Sequence, residues 1–310
     1  MPHITYLNER SVEVPEGTSI LSASLEHGIP HTRVCGGHAR CSTCRVAVLT
    51  GLANCSPRNE KEQAMATLRN FSPAVRLACQ TTVSGDITVR RLVLDDEDVA
   101  LVRGEVAQPG EPINLGRESS LAILFCDIRN FTSFSERQLP YDVIHLLNRY
   151  FARINQDVVR HGGVIDNFMG DGIMALFGVP DADPAPEPSL RAVRAGLDML
   201  ASVTAMRGYF QDNFDWSLRI GVGIHCGPVI VGAVGAGVRR RTTVIGDAVN
   251  FASRIESANK DAGTELLLSA AAYEEVKDLV TAGKCYDLAV KGKTGTHRLY
   301  EVLAMRPGSP

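Results

Sequence analysis

Apolar positions fall in two different rhythms along the chain. In the first ninety or so residues they come in short runs. HITYL (3–7) and SVEV (11–14) alternate briefly around the turn residues Asn8 and Glu9, which predicts two short strands. PEGTSILSASLEHGI (15–29) reads as a turn leading into a short helix, stopped by Gly28 and Pro30. RVAVLTG (45–51) predicts a strand, and VRLACQTTV (75–83) and GDITVRRLVL (85–94) predict the last ones of this region. Beyond them the pattern lapses. The acidic run Asp95-Asp96-Glu97-Asp98 leads into a stretch holding two prolines and three glycines, a linker over 95–116.

From Ser119 the periods lengthen into strand, helix, strand, strand, helix, strand. LAILFCDI (121–128) is a continuous apolar strand. YDVIHLLNRYFARINQDVVRHGG (141–163) places Val143, Leu147, Tyr150, Phe151, Ile154 and Val158 at helical spacing, ended by Gly162 and Gly163. VIDNFM and IMALFG form a predicted hairpin around Gly170-Asp171-Gly172. DADPAPEP is an irregular loop, SLRAVRAGLDMLASVTAM a second helix and LRIGVGIH a strand. A Gly-rich hairpin then precedes a helix over 247–259. These elements predict an α+β chain of two domains, 1–94 and 117–305, the second an α/β sandwich on a mostly antiparallel sheet.

Composition narrows the classes. An apolar fraction of 45%, a net charge of −3 and a pI near 6.3 describe an ordinary globular chain, with no nucleic-acid or membrane-surface partner expected. The longest apolar run, VIVGAVGAGV, is too short and Gly-rich to span a bilayer, and no secretory leader is visible. A cytoplasmic location is the expectation.

Eight cysteines do not make a disulfide scaffold at this length. Cys55, Cys126, Cys226 and Cys285 are scattered and read as small buried hydrophobes. Cys35, Cys41, Cys44 and Cys79 are patterned. The segment CGGHARCSTC sets three thiols in a Gly-bearing loop, and the fourth follows far downstream in RLACQ. Four thiolates suit zinc or iron–sulfur; one short knuckle, one wider gap and a lone distant cysteine favour iron–sulfur. On these residues the first 93 or so positions resemble the adrenodoxin-like [2Fe–2S] ferredoxins. The resemblance implies a β-grasp fold and a one-electron cluster on Cys35, Cys41, Cys44 and Cys79.

In the second region Asp127 closes a strand and Asp171 sits in a turn. Each is a turn cap or, together, a pair suited to Mg²⁺. Six ordered strings decide between these: LAILFCDIRNFTSFSE, LLNRYF, IDNFMGDGIMALFG, GIHCGPVIVGAVG, TTVIGDAVNFASRIE and VKGK. Together they resemble the catalytic domain of class III nucleotidyl cyclases over about 118–304. The resemblance implies a ferredoxin-like α/β sandwich working as a homodimer with ATP as substrate. It places two Mg²⁺ (or Mn²⁺) per site on Asp127, Asp171 and the carbonyl of Ile128. It makes Asn250 and Arg254 the transition-state pair, Lys291 the holder of the terminal phosphates, and Asn167 and Thr243 the readers of the base. Thr243 fits the adenine pattern. Asn167 departs from the lysine usual in adenylyl cyclases, which leaves guanylyl cyclase as an alternative. Others are a redox-sensing nucleotide binder without turnover and a ferredoxin serving as electron donor to, or acceptor from, another protein. Arg239, Arg240 and Arg241 read as a solvated turn, or as a contact to the partner subunit or the ferredoxin domain.

Overall fold

The computed structural model describes residues 1–93, 117–179, 187–234, 241–289 and 295–308. The linker 95–116, Lys291, Arg239 and Arg240 lie outside them. The chain separates into two units, Met1–Arg117 and Glu118–Pro310.

In the first unit β1 (His3–Tyr6) and β2 (Ser11–Glu13) lead to α1 (Ile20–Glu26), then β3 (Arg45–Thr50), α2 (Glu60–Leu68), β4 (Val75–Leu77) and β5 (Ile87–Arg91). The sheet runs β2-β1-β5-β3-β4, with β1 and β5 parallel and the other pairs antiparallel. Helix α1 starts where the Ser19 hydroxyl accepts the amide of Ser22, and it buries Ile20, Leu21 and Ala23 among Ile4, Tyr6, Val46, Leu77 and Val89. A sheet curled around one helix is the expected β-grasp.

One local expectation is corrected. The strand read over 75–83 stops at Leu77, because the amides of Gln80 and Thr81 both turn back onto the Leu77 carbonyl. Helix α2 has no apolar period to announce it. It is capped by Asn59, and its fully buried residues are Glu62 and Ala66.

The second unit contains β6 (Arg117–Ile128), α3 (Phe131–Ser135), α4 (Pro140–Arg160), β7 (Val164–Met169), β8 (Gly172–Phe177), α5 (Pro188–Phe214), β9 (Ile220–Val234), β10 (Arg241–Ile245), α6 (Asp247–Ala262), β11 (Leu266–Ser269), α7 (Ala270–Val276), β12 (Val280–Ala289) and β13 (Thr296–Met305). Its sheet runs β12-β13-β11-β9-β6-β8-β7, with β10 paired to β9. The spatial run β9-β6-β8-β7 places the fourth strand of the βαββαβ unit beside the first, and the third beside the second. This is the ferredoxin-like order.

Strand β6 explains its own apolar run. Ala122, Leu124 and Cys126 pack with Leu146, Tyr150 and Ile154 of α4 and Met199 of α5, whereas Leu121, Ile123 and Phe125 pack with Ala248 and Ala252 of α6. Both faces of the strand are covered, so polar alternation is lost. On α4 the buried positions are Leu146, Tyr150, Ile154, Asp157 and Val158; Leu146 takes the inner place, and Val143, Leu147 and Phe151 stay outside that buried set. Three of the four scattered cysteines differ from expectation. Cys126 is buried, Cys55 and Cys226 are half-buried, and Cys285 is exposed on β12.

Candidate functional site

The thiol loop owes its shape to Gly36 (φ 67°), Gly37 (φ 94°) and Ala39 (φ 55°), three left-handed positions within four residues. This winding turns amides inward. The sulfur of Cys35 accepts from the backbone of Gly37, His38 and Arg40, and that of Cys79 from Ala39 and its own amide. Burial alone raises the Cys35 thiol, but the Cys41 hydrogen bond and these amides outweigh it and leave it below the usual range. The Cys44 thiol donates to Cys79 across 3.4 Å. That bond first, with the Gln80 amide at 3.3 Å assisting, brings Cys79 down to about 6, while the same bond and then burial push Cys44 up.

The four sulfurs therefore stand as two pairs, Cys35 with Cys41 and Cys44 with Cys79. Among the described residues no three His, Cys, Asp or Glu side chains gather as a site for a single ion. Paired thiols ringed by amide donors fit a two-iron cluster, in which each iron takes two thiolates.

Glu62 supports the fourth cysteine. Arg76 binds it through two contacts of 2.9 Å, and the Leu77 amide donates to the same carboxylate at 2.7 Å. Both side chains of this pair are almost fully buried. Removing one partner would leave an unpaired buried charge at the turn that presents Cys79.

In the second unit Asp127, near the end of β6, and Asp171, in the β7–β8 turn, share a hydrogen bond between their carboxyl groups. Burial first, and the charge of Asp127 second, push Asp171 up to about 6; the amide of Ile128 opposes them. Two carboxyls held this close resist joint ionisation until a cation joins them. The donor set fits a divalent metal.

The two aspartates line a cavity of about 740 Å³ together with Asn130, Arg219 and Lys260. Asn167, Thr243, Asn250 and Arg254 do not line it. Asn250 is exposed and Arg254 half-buried on α6; Asn167 lies on β7 and Thr243 on β10. The Thr243 hydroxyl donates to Asp166 across 2.8 Å. Among the described positions, then, the structure gathers the metal candidates and sets the nucleotide-handling candidates outside their cavity. Of the arginine run, Arg241 opens β10.

The sequence did not point to Arg129. Its guanidinium crosses β9 to reach Glu256 on α6 at 2.9 Å, and its amide bonds the Arg219 carbonyl. Gly221 makes the crossing possible, since a Cβ there would lie 1.5 Å from the guanidinium. Burial raises Glu256 to about 7, partly offset by Arg129. The pair ties the aspartate strand to the helix of Asn250 and Arg254. No sequence signal links positions so far apart.

Comparison with known proteins identifies the family of each region. The family described as Adenylate and Guanylate cyclase catalytic domain matches residues 113–303, and the 2Fe-2S iron-sulfur cluster binding domain matches 5–84. The chain belongs to the adenylate and guanylate cyclase catalytic domain family, with a 2Fe-2S cluster-binding domain preceding that region. It is 35% identical to Adenylate cyclase 1 of Rhizobium meliloti (strain 1021), over 59% of this chain and 27% of that protein. It is 36% identical to Adenylate cyclase of Anabaena cylindrica, over 63% and 39%. The chain thus spans well under two thirds of these relatives. Among solved structures it is similar to the guanylyl cyclase Cya2 (32% identity, TM-score 0.58, covering 62% of this chain and 96% of that one). It is equally similar to the adenylyl cyclase CyaB from P. aeruginosa (32%, 0.57, 62% and 97%). Among the described residues no helix is long and apolar enough to cross a membrane.

Proposed function

We propose that this chain is an adenylyl cyclase that converts ATP to cyclic AMP and pyrophosphate at a homodimer interface, under the control of its [2Fe–2S] domain. The observation that carries the reading is the partition of the site. Asp127 and Asp171 share one cavity, while Asn167, Thr243, Asn250 and Arg254 stand outside it. A second copy supplies the missing half. Large apolar side chains exposed on the strands beside the base readers support such a contact: Phe168 and Met169 on β7, Ile230 and Val234 on β9, and Ile245 on β10.

Two Mg²⁺ or Mn²⁺ held by Asp127, Asp171 and the Ile128 carbonyl would supply Lewis acidity toward the triphosphate and the ribose 3′-hydroxyl. Within this reading Asn250 orients the ribose. Arg254, four residues along the same helix face, meets charge developing on the α-phosphoryl group, and Lys291 holds the terminal phosphates. The two relatives named above are adenylate cyclases and Thr243 fits adenine, which favours ATP over GTP.

The cluster domain acts, in this proposal, by biasing how the two catalytic domains pack, through the segment 95–116. A coupling of about 1–3 kcal/mol corresponds to a ~5–150-fold change in activity. Product analysis with ATP and with GTP, on the cluster-loaded protein oxidised and then dithionite-reduced, tests both parts. Cyclic AMP formed at unequal rates in the two states is expected. Preference for GTP rejects the substrate, and equal rates leave the cluster without a regulatory role.

A further inference from the structure

Asp166 occupies a break in the register of β7. Ile165 pairs with Ala175 and Asn167 with Met174, adjacent residues of β8, so Asp166 is the extra residue of a β-bulge. Such bulges re-aim side chains and recur beside active sites. Here the bulge turns Asn167 to the face of Met174, which packs with Val244 and Ala248, rather than to the face of Ile165. It also sends the Asp166 carboxylate to β10, where the Thr243 hydroxyl donates to it across 2.8 Å.

That hydrogen bond fixes a polarity. Threonine has one hydroxyl proton, and an ionised carboxylate only accepts. With its proton committed to Asp166, the Thr243 oxygen presents lone pairs alone to anything else that approaches. We propose that Asp166 is a positioning residue for base specificity: it holds the Thr243 hydroxyl as an acceptor, and so selects a purine triphosphate with a 6-amino group over one with a 6-oxo group. This rests on the cyclase reading above, in which Thr243 faces the base. A 6-amino group donates to that oxygen. A 6-oxo group sets acceptor against acceptor and leaves both unpaired, which typically lowers relative kcat/KM by about ten- to a hundredfold.

A carboxamide of the same shape removes the commitment. In the Asp166→Asn variant the introduced side-chain amide would donate to the Thr243 oxygen and free its proton for the base, so the substitution separates polarity from packing. The experiment measures kcat/KM with Mn²⁺ on the full chain for ATP, GTP and purine riboside triphosphate, which carries hydrogen at position 6. The unmodified chain, Asp166→Asn, Thr243→Val and the double variant are compared. Asp166→Asn is expected to lower the ATP-to-GTP ratio about tenfold or more, and to shrink the advantage of ATP over the purine riboside analogue. In the Thr243→Val background the same substitution should change neither ratio further, as groups acting through one atom are not additive. Ratios taken on one preparation are insensitive to partial unfolding. An unmoved ATP-to-GTP ratio, or an equal loss on all three nucleotides, overturns the role of Asp166. An unmodified chain that prefers GTP overturns the choice of ATP, and one that makes no cyclic nucleotide overturns the cyclase reading; either result removes this role with it.

Discussion

The thiol loop and the carboxylate cavity are both metal-binding candidates, and they are built in opposite ways. The thiol site is complete within one unit. Its four sulfurs lie on one loop and one turn, and backbone amides from left-handed residues point at them before anything binds. The carboxylate site is, in the proposed reading, incomplete. Two aspartates share a hydrogen bond beside a cavity that Asn167, Thr243, Asn250 and Arg254 do not line. The first arrangement suits a resident group held permanently. The second suits, in the proposed reading, one that becomes competent only when two copies meet. A cyclase assembled in this way can be governed by anything that changes how its halves pack.

The largest effect should come from breaking the carboxylate half. Asp171→Ala is expected to abolish cyclisation, and Arg254→Ala to reduce it by about a hundredfold or more. Asp127→Ala and Arg254→Ala homodimers should both be crippled, yet their mixture should recover activity through one intact site per heterodimer. Absent recovery, with heterodimers demonstrated by sizing or crosslinking, the site does not lie between chains.

Next in size is the support of the thiol half. Glu62→Ala strands Arg76 in the core and should destabilise the first unit by about 3–5 kcal/mol. Visible absorption and iron content should fall with it, although no thiol is touched. Retained colour and an unchanged melting temperature would show that the turn at Cys79 stands without this pair.

The smallest effect sharpens the link between the aspartate strand and α6. Glu256 is raised from the ordinary 4.5 to about 7 by burial. Between those values the folded chain binds more protons than the unfolded one, so stability falls as pH rises from about 4.5 to about 7. The stabilisation is full below about 4.5 and lost above about 7. Glu256→Gln keeps the shape without the titration. Its melting temperature relative to the unmodified chain should therefore rise by about 2–6 °C between about pH 5 and about pH 8. A difference independent of pH would mean that Glu256 stays ionised against Arg129 throughout.

Local patterning was sufficient for much of this. The strings around Asp127, Asp171, Asn250 and the three loop cysteines are contiguous, and the period of α4 and the unbroken apolar run of β6 follow from which faces are covered. Helix α2 escaped because its buried residues include a carboxylate rather than an apolar stripe. Cys285 could not be told from a buried thiol, because its exposure depends on which neighbours cover β12.

What the sequence determined on its own were the residues that nearest neighbours or a short turn bring into place: the thiol loop, the two aspartates, the helix carrying Asn250 and Arg254. Tertiary structure alone decided the long-range pairings. Arg129 meets Glu256 because Gly221 leaves room for a guanidinium to cross a strand. Asp166 meets Thr243 because a bulge shifts β7 by one residue against β8. Neither is readable from composition or period, since each depends on the register and separation of elements that only folding sets side by side.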